Sequence, residues 1–295
     1  MNLLVIGASG FIGRHILVEA KRVGLSVLGT RSTSSSQGLI GFDLRRDGLG
    51  NVPGVRDWAD GSVVVAAAFP QIDRCLTERD VSRAINVDGT IRILREAHHR
   101  GFRPVFLSSS FVFDGRDGHY ADAAERAPIS EYGRQKAEVE SFVERELPSA
   151  LVLRLDKTIG TVPDEKHLFS EWWAAASDRR PIRCIEKQWF SPTLVDDVAR
   201  GVVAACQRGL HGIYNLAGSE VMSRVELAHR FVELSGLTVA IEEVSQRDLG
   251  FVDLRPERSS LDSSAFVRET GLRFTTLDEA LRTFLSAVHA SQVKA

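Results

Sequence analysis

Cysteine is scarce in this 295-residue sequence, which has only Cys75, Cys184 and Cys206. Three widely spaced cysteines cannot form a disulfide framework or a CxxC metal pair, and we expect them to be buried apolar residues. The net charge of −2 gives no electrostatic reason to expect binding to nucleic acid or to an anionic membrane. No apolar run reaches membrane-spanning length, and residues 1–6 are too short and uncharged for a signal peptide. We therefore expect a cytoplasmic protein without a metal site and without a nucleic-acid or membrane partner.

Strand-like and helix-like segments alternate through the first half of the chain. The predicted strands are residues 3–6, 26–28, 38–42, 62–68, 104–108 and 151–155, and the predicted helices are residues 11–23, 80–99 and 130–146. Residues 32–36 form a polar loop that is too short to divide domains. This βαβ alternation predicts an α/β fold of the Rossmann type, a doubly wound parallel sheet with helices on both faces.

The pattern after residue 156 is less regular. Helices are predicted at residues 169–176, 194–207, 223–235 and 277–288, and a strand at residues 213–216. We expect residues 1–156 to form the Rossmann domain, with its sheet completed by parts of residues 185–218. Residues 157–295 are expected to form mainly a smaller C-terminal α/β lobe that binds substrate.

A glycine-rich turn lies between the first strand and the first helix, with the sequence Gly7-Ala-Ser-Gly10-Phe-Ile-Gly13. Gly7 permits the tight turn, Gly10 allows close approach of a pyrophosphate, and Gly13 lets helix and strand pack closely. The helix N-terminus adds free N–H groups and a positive dipole. The turn therefore predicts a dinucleotide site, with a glycine-rich turn without a ligand as the alternative. The predicted contacts are Gly7, Ser9, Gly10, Phe11, Ile12 and Gly13.

The second predicted strand leads into Arg31, and no acidic residue follows at once. Folds that bind NAD usually place an acid there for the ribose hydroxyls, whereas an arginine accommodates the 2′-phosphate of NADP. We therefore predict NADP(H) as the cofactor and keep NAD(H) as the alternative. The other interpretation of Arg31 is a solvated side chain.

Tyr132 and Lys136 are four residues apart in the helix predicted at residues 130–146, so they share one face. The ammonium group is expected to favour the phenolate and to lower the pKa of Tyr132 toward neutrality. A tyrosine tuned in this way exchanges a proton with a substrate oxygen. The alternative is an exposed helix face without catalytic function.

Together with the glycine turn and the Tyr132/Lys136 pair, the segment Leu107-Ser-Ser-Ser-Phe-Val-Phe-Asp-Gly115 resembles the extended short-chain dehydrogenase/reductase family. Its Val-Phe-Asp-Gly end is similar to the dTDP-4-dehydrorhamnose reductase branch of that family. Three further segments resemble the same branch: Asn86-Val-Asp-Gly-Thr90, Trp189-Phe-Ser-Pro-Thr-Leu-Val-Asp-Asp197 and Arg255-Pro-Glu-Arg-Ser-Ser-Leu-Asp-Ser-Ser264.

The resemblance implies a catalytic set of Ser109, Tyr132 and Lys136. Ser109 would hydrogen-bond the substrate carbonyl, Tyr132 would be the general acid, and Lys136 would bind the nicotinamide ribose. Ser109 is chosen over its two serine neighbours by the family register alone, and a strand-end hydroxyl that caps the backbone is the alternative. The resemblance adds further cofactor contacts at Asp43, Leu44, Ala66, Ala67, Ala68 and Asn86, besides Arg31, Tyr132 and Lys136.

On the substrate side, the resemblance implies contacts from Ser110, Phe111, Trp189, Thr193 and Arg255. The chain departs from the branch at two of them, because Ser110 replaces an acidic residue and Phe111 replaces a tyrosine. These departures affect the substrate pocket, so they leave the identity of the sugar open.

The function expected from the resemblance is the NADPH-dependent reduction of a nucleotide-linked keto sugar. One alternative is an NAD-dependent nucleotide-sugar epimerase or dehydratase, although the Asp-Glu pair of the dehydratases is missing after Ser109. Another is a non-catalytic, NADP-binding regulatory subunit, since the regulatory subunit of methionine adenosyltransferase resembles the same branch. A homodimer is left open.

Overall fold

The computed structural model describes residues 1–32 and 37–292, so all but Ser32 of the predicted polar loop lies outside it. The strands, numbered in chain order, are β1 (Asn2–Ile6), β2 (Ser26–Arg31), β3 (Ile40–Gly41), β4 (Ser62–Val65), β5 (Arg103–Ser109), β6 (Leu151–Leu155), β7 (Thr158–Ile159), β8 (Ile182–Ile185), β9 (Trp189–Phe190), β10 (Thr193–Leu194), β11 (Gly212–Leu216), β12 (Met222–Ser223) and β13 (Ile241–Val244). The helices are α1 (Phe11–Arg22), α2 (Ile72–Thr77), α3 (Arg79–Arg83), α4 (Thr90–His99), α5 (Glu131–Glu146), α6 (Leu168–Ser177), α7 (Val195–Arg208), α8 (Arg224–Ser235), α9 (Ser264–Thr270) and α10 (Leu277–Gln292).

Seven strands form the central sheet, in the order β11-β6-β5-β4-β1-β2-β3, and every neighbouring pair is parallel. The predicted fold class is confirmed. The chain runs from β1 toward β3 on one side of the sheet and from β4 toward β11 on the other. Ligands of such sheets bind at the carboxyl ends of the strands, where the strand order reverses.

Apolar side chains of the strands alternate between the two faces of the sheet. Leu4 and Ile6 of β1 lie in one core with α4 and α5, whereas Leu3 and Val5 lie in the other core with α1 and α7. β4 is fully buried, with no more than 1% of any side chain exposed, because helices cover both of its faces.

A third apolar core lies among α6, α8 and α10. It is built around the rings of Phe169, Trp172, Phe231 and Phe284, whose neighbouring centroids are 5.6–6.3 Å apart. β8 pairs with β13 beside this core. The sequence pattern did not predict this pair, because β8 and β13 have only four residues each and are far apart in the chain.

The long helix predicted at residues 80–99 is interrupted. Between α3 and α4 the chain forms a π-helical turn at Ala84–Gly89. Gly89 lies against the carbonyl oxygen of Leu44, which would be 2.1 Å from a Cβ atom at residue 89. Such turns frequently occur at functional sites, and this one contains Asn86.

The strand predicted at residues 62–68 ends at Val65. The backbone N–H groups of Ala66 and Ala67 both donate to the carbonyl oxygen of Ile6, at 3.0 and 2.9 Å, so the chain turns across the end of β1. In the described part of the chain, no helix has both the length and the apolar composition needed to cross a membrane.

Candidate active site

The glycine turn at residues 7–13 joins β1 to α1 at the carboxyl edge of the sheet. Gly7 has φ +89°, and a Cβ atom there would lie 2.7 Å from the backbone of Ala67. A Cβ atom on Gly13 would lie 2.2 Å from the carbonyl oxygen of Gly7. Gly10 begins α1 without a side-chain cap, and the first turn of the helix has no acidic residue. The first N–H groups of α1 are therefore suited to an anion such as a pyrophosphate.

The other residues predicted around this turn lie close to it. Gly7 donates its backbone N–H to Thr30 Oγ1 at 3.0 Å, which ties the turn to β2. The ring of Phe11 lies 6.0 Å from that of His167, and Ile12 packs against the apolar core beside α1. Ser9 is half-buried in the turn, and Ala68 follows the alanines that cross the end of β1.

Arg31, Asp43 and Leu44 lie at the edge formed by β2 and β3. Arg31 is the last residue of β2, and its carbonyl oxygen accepts the N–H of Phe42 at 2.8 Å. The hydrogen bond from Arg45 lowers the pKa of Asp43 to about 2. Leu44 is buried in the core beneath this edge.

Tyr132 is placed by the start of α5. Ser130 caps the helix by accepting the N–H of Gly133 at 3.1 Å. A Cβ atom on Gly133 would lie 2.1 Å from the carbonyl oxygen of Phe111, so α5 packs directly on the turn that follows β5. Tyr132 consequently lies beside Ser109, whose Oγ accepts the N–H of Phe111 at 3.2 Å. The ring of Tyr132 lies edge-on to that of Phe111, with centroids 6.0 Å apart.

Lys136 lies behind Tyr132 and is almost completely buried. Its Nζ atom donates to the carbonyl oxygen of Leu107 at 2.8 Å and lies 4.6 Å from the ring centroid of Phe106. Nζ is 5.6 Å from the ring centroid of Tyr132. Burial lowers the pKa of Lys136 to about 8.

The predicted lowering of the Tyr132 pKa is wrong in this structure. Burial raises the pKa of Tyr132 above its ordinary value, and the hydrogen bond with Ser109 offsets only part of that effect. The ammonium of Lys136 donates to the backbone of Leu107. Tyr132 therefore keeps its proton at neutral pH, which is the form that a general acid requires.

Asn86 is buried in the π-helical turn, and its amide connects two parts of the site. Its Oδ1 accepts the N–H of Phe69 at 2.7 Å, and its Nδ2 donates to the carbonyl oxygen of Phe69 at 3.0 Å and to Gln135 Oε1 at 2.8 Å. Asn86 thus holds the segment after β4 against α5, next to Tyr132 and Lys136. In this structure its amide is engaged in positioning the backbone.

The hydroxyl of Ser110 is hydrogen-bonded within the protein. Its Oγ atom donates to Asp156 Oδ1 at 2.8 Å. Asp156 also accepts the N–H of Ser191 at 2.6 Å and the hydroxyl of Ser259 at 2.8 Å. Burial raises the pKa of Asp156 to about 6 despite these donors. Sequence reasoning missed Asp156 and its neighbour Lys157. Their signal was available, because two charged residues directly after a buried parallel strand lie where ligands bind.

Two other predicted substrate contacts, Trp189 and Thr193, differ in burial and in hydrogen bonding. Trp189 is half-buried in β9, and its carbonyl oxygen accepts from Ser259. The hydroxyl of Thr193 is buried and accepts the N–H of Gly218 at 2.8 Å, so it serves the packing of the chain.

Arg255 forms an ion pair with Asp73. Its two terminal nitrogens donate to the two carboxylate oxygens of Asp73, at 3.0 and 2.9 Å. Its guanidinium group also lies 3.4 Å from the ring centroid of Phe251.

Comparisons with known proteins agree with this arrangement. The family model described as the RmlD substrate binding domain matches residues 1–290. A probable low-salt glycan biosynthesis reductase, Agl14, of Haloferax volcanii is 28% identical over 97% of this chain and 98% of its own. A dTDP-4-dehydrorhamnose reductase of Sinorhizobium fredii is 26% identical over 98% of each chain.

A solved structure of dTDP-4-dehydrorhamnose reductase from Bacillus anthracis, in complex with NADP, superposes with a TM-score of 0.84 at 21% identity and covers 97% of this chain and 98% of its own. This likeness confirms the fold. The expected class, an NAD(P)-dependent oxidoreductase of the short-chain dehydrogenase/reductase type, is confirmed by the matched family and its relatives. The chain belongs to the RmlD substrate binding domain family.

Proposed function

We propose that this protein is an NADPH-dependent reductase of a nucleotide-linked keto sugar. The observation that carries the proposal is the juxtaposition of Tyr132, Ser109 and the buried Lys136 at the carboxyl end of β5. β4 alone separates β5 from β1, which leads into the glycine turn, so a dinucleotide on the turn would extend toward this pair. Two relatives named as reductases support the same reaction class.

The reaction that fits these residues is a proton-coupled hydride transfer. Bound NADPH supplies the hydride, which adds to the carbonyl carbon. The hydroxyl of Tyr132 donates its proton to the carbonyl oxygen, and the hydroxyl of Ser109 hydrogen-bonds the same oxygen as negative charge develops. Lys136, buried beside the Tyr132 ring, supplies a positive charge and an amine donor for the ribose.

The residues present fit NADP. The uncapped N-terminus of α1 is suited to the pyrophosphate, and Arg31 at the end of β2 stands where a 2′-phosphate is accommodated. Asp43 and Leu44 follow β3 and would lie beside the adenine. The proposed division into a cofactor domain (residues 1–156, with β11) and a substrate lobe (mainly 157–295) is supported by the separate core of α6, α8 and α10.

The proposal is tested by following NADPH absorbance with a panel of nucleotide-linked 4-keto sugars. We expect consumption of NADPH with at least one of them. Protein that carries stoichiometric NAD and interconverts sugars without consuming NADPH would support the epimerase or dehydratase alternative. Tight NADPH binding without turnover on any member of the panel would support a regulatory subunit. The cytoplasmic location and the homodimer remain predictions.

A further inference from the structure

Two cationic side chains that the proposed reaction does not use lie at the substrate side of the sheet. Lys157 follows Asp156 at the carboxyl end of β6, and Arg224 is the first residue of α8. Both are half-buried, so each keeps some access to solvent. Within residues 1–32 and 37–292, no carboxylate lies within ion-pair distance of either side chain.

One short segment, residues 188–193, forms hydrogen bonds with both Lys157 and Arg224. Gln188 accepts the backbone N–H of Arg224 with its carbonyl oxygen at 2.8 Å, and its Oε1 accepts from Arg224 Nη1 at 2.9 Å. Ser191 donates its N–H to Asp156, and Thr193 donates its N–H to the carbonyl oxygen of Lys157 at 2.9 Å. The positions of Lys157 and Arg224 are therefore fixed by the same stretch of backbone.

The positive charges of Lys157 and Arg224 are not fully compensated by the residues around them. The Nε atom of Arg224 is buried and has no hydrogen-bond partner in the described part of the chain. Burial and the charge of Arg224 lower the pKa of Lys157 to about 8, and burial lowers the pKa of Arg224. The charges of Glu171 and Asp156 raise the pKa of Lys157, and that of Glu171 raises the pKa of Arg224, but they do not outweigh burial at either cation. Paired cations that are desolvated but accessible are stabilised by an anion that binds between them.

Lys157 lies just after β6, the strand next to the one that carries Ser109, the serine proposed to bind the reacting carbonyl. Ser109 pairs with Leu155 in the register of β5 and β6, so Lys157 is two residues beyond the partner of the proposed catalytic serine. Asp156 accepts from Ser110, the residue after Ser109. A substrate group bound by Lys157 would therefore lie at the same edge of the sheet as the reacting carbonyl.

We propose that Lys157 and Arg224 form an anion pocket for a negatively charged group of the substrate beside the reacting carbonyl. This inference rests on the proposed function and narrows its substrate class. Two parts of a sugar nucleotide carry such a group: a carboxylate on the sugar ring and the oxygens of the diphosphate. Both would be recognised by charge-assisted hydrogen bonds from the same two side chains.

The test compares the binding of nucleotide-linked glucose and glucuronate, which differ at C6 by a carboxylate, in their uridine and thymidine forms. Affinities are measured by calorimetry at pH 7, below the pKa of Lys157, on wild type, Lys157→Met and Arg224→Gln. A ring carboxylate in the pocket predicts that wild type prefers glucuronate by about tenfold or more and that Lys157→Met removes this preference. A diphosphate in the pocket predicts equal affinity for both sugars in wild type and a loss of about tenfold or more for both in Lys157→Met.

Two controls make the result specific. Lys187→Met removes the same charge from an exposed residue next to Gln188 and should bind like wild type, whereas Lys157→Arg should keep the wild-type pattern. The pocket is refuted if Lys157→Met and Arg224→Gln both bind the probes like wild type, or if none of the probes binds to wild type. Because binding is measured without turnover, failure of the reductase proposal appears separately, as unconsumed NADPH in a protein whose probe binding depends on Lys157.

Discussion

The cofactor side and the substrate side of this site are held together in different ways. On the cofactor side, Gly7 and Gly13 contact each other across one tight turn, and the main contacts are made by backbone atoms. On the substrate side, Asp156 accepts hydrogen bonds from three residues that are 35, 46 and 103 positions away from it in the chain. A site built from local backbone contacts tolerates few amino-acid substitutions. Side chains brought together from distant segments can be exchanged one at a time, which suits the half that determines the substrate.

Tyr132→Phe should have the largest effect on turnover. It also distinguishes a residue needed for the reaction from one needed to bind the cofactor. Removing the hydroxyl removes the proton donor, and we expect turnover to fall about a hundredfold or more. NADPH affinity, measured by fluorescence titration, should be nearly unchanged. Tyr214→Phe, on the far edge strand β11, is the matched control and should keep wild-type turnover. A Tyr132→Phe enzyme within a few-fold of wild type would rule out the acid role.

Gly13→Ala should disrupt the glycine turn on the cofactor side of the site. The new Cβ atom would lie 2.2 Å from the carbonyl oxygen of Gly7, so the turn must shift, at a cost of about 1–3 kcal/mol in the free energy of unfolding. NADPH binding should weaken with it, because the N-terminus of α1 moves. Gly41→Ala is the control, since no described atom other than those of its chain neighbours lies within 4 Å of its Cβ position. Urea unfolding and NADPH titration of both variants check this, and equal behaviour of the two would contradict the role of the turn.

Arg31→Ala tests a second part of the cofactor side, because the proposed role of Arg31 is to recognise the cofactor with its side chain. Loss of a charge-assisted contact to the 2′-phosphate should raise the KM for NADPH about tenfold. The KM for NADH should change much less, since NADH lacks that phosphate. Steady-state kinetics with both cofactors measure the difference. An equal change in the two KM values would show that Arg31 does not select NADP.

The same contrast explains which features could be predicted from the sequence. The glycine turn, α1 and the capped start of α5 depend on signals within a few residues, and the structure has them where they were expected. The ion pair of Arg255 with Asp73 joins residues 182 positions apart. No local pattern indicates such a pairing, so the sequence alone could not show that the guanidinium of Arg255 has a carboxylate partner in the fold.

The Tyr132 pKa shows why spacing alone was insufficient. Four-residue spacing correctly placed Tyr132 and Lys136 on one face of α5, but the sign of the shift depends on how deeply the phenol is buried. That depth is set by Phe111 and by the packing of Gly133 against the turn after β5. The sequence was enough to propose a catalytic set, whereas the electrostatics of these residues required the assembled fold.

His15→Gln tests the junction between the two sides and should have the smallest effect. His15 on α1 contacts Asp196 Oδ1 at 2.6 Å and Glu165 Oε2 at 3.0 Å. Burial works against its charge, but hydrogen bonds to the two carboxylates outweigh burial and raise the pKa of His15. A raised pKa means that the stabilisation is complete below the unfolded value near 6.5 and is lost as the pH rises through the higher folded value.

We therefore expect wild type to lose on the order of 1 kcal/mol of stability relative to His15→Gln as the pH rises from below 6.5 through the raised folded pKa. Unfolding midpoints across that range measure the loss, and His211→Gln, at an exposed histidine, should follow wild type. If His15→Gln also parallels wild type at every pH, His15 is not a charged link between α1 and the segment that carries Glu165. If the stability difference between wild type and His15→Gln shrinks as the pH rises through the folded pKa, the cofactor side and the substrate side are held together by a protonated histidine. Cofactor binding at α1 would then be coupled to the position of the substrate side, and NADPH should shift the pH at which the difference shrinks.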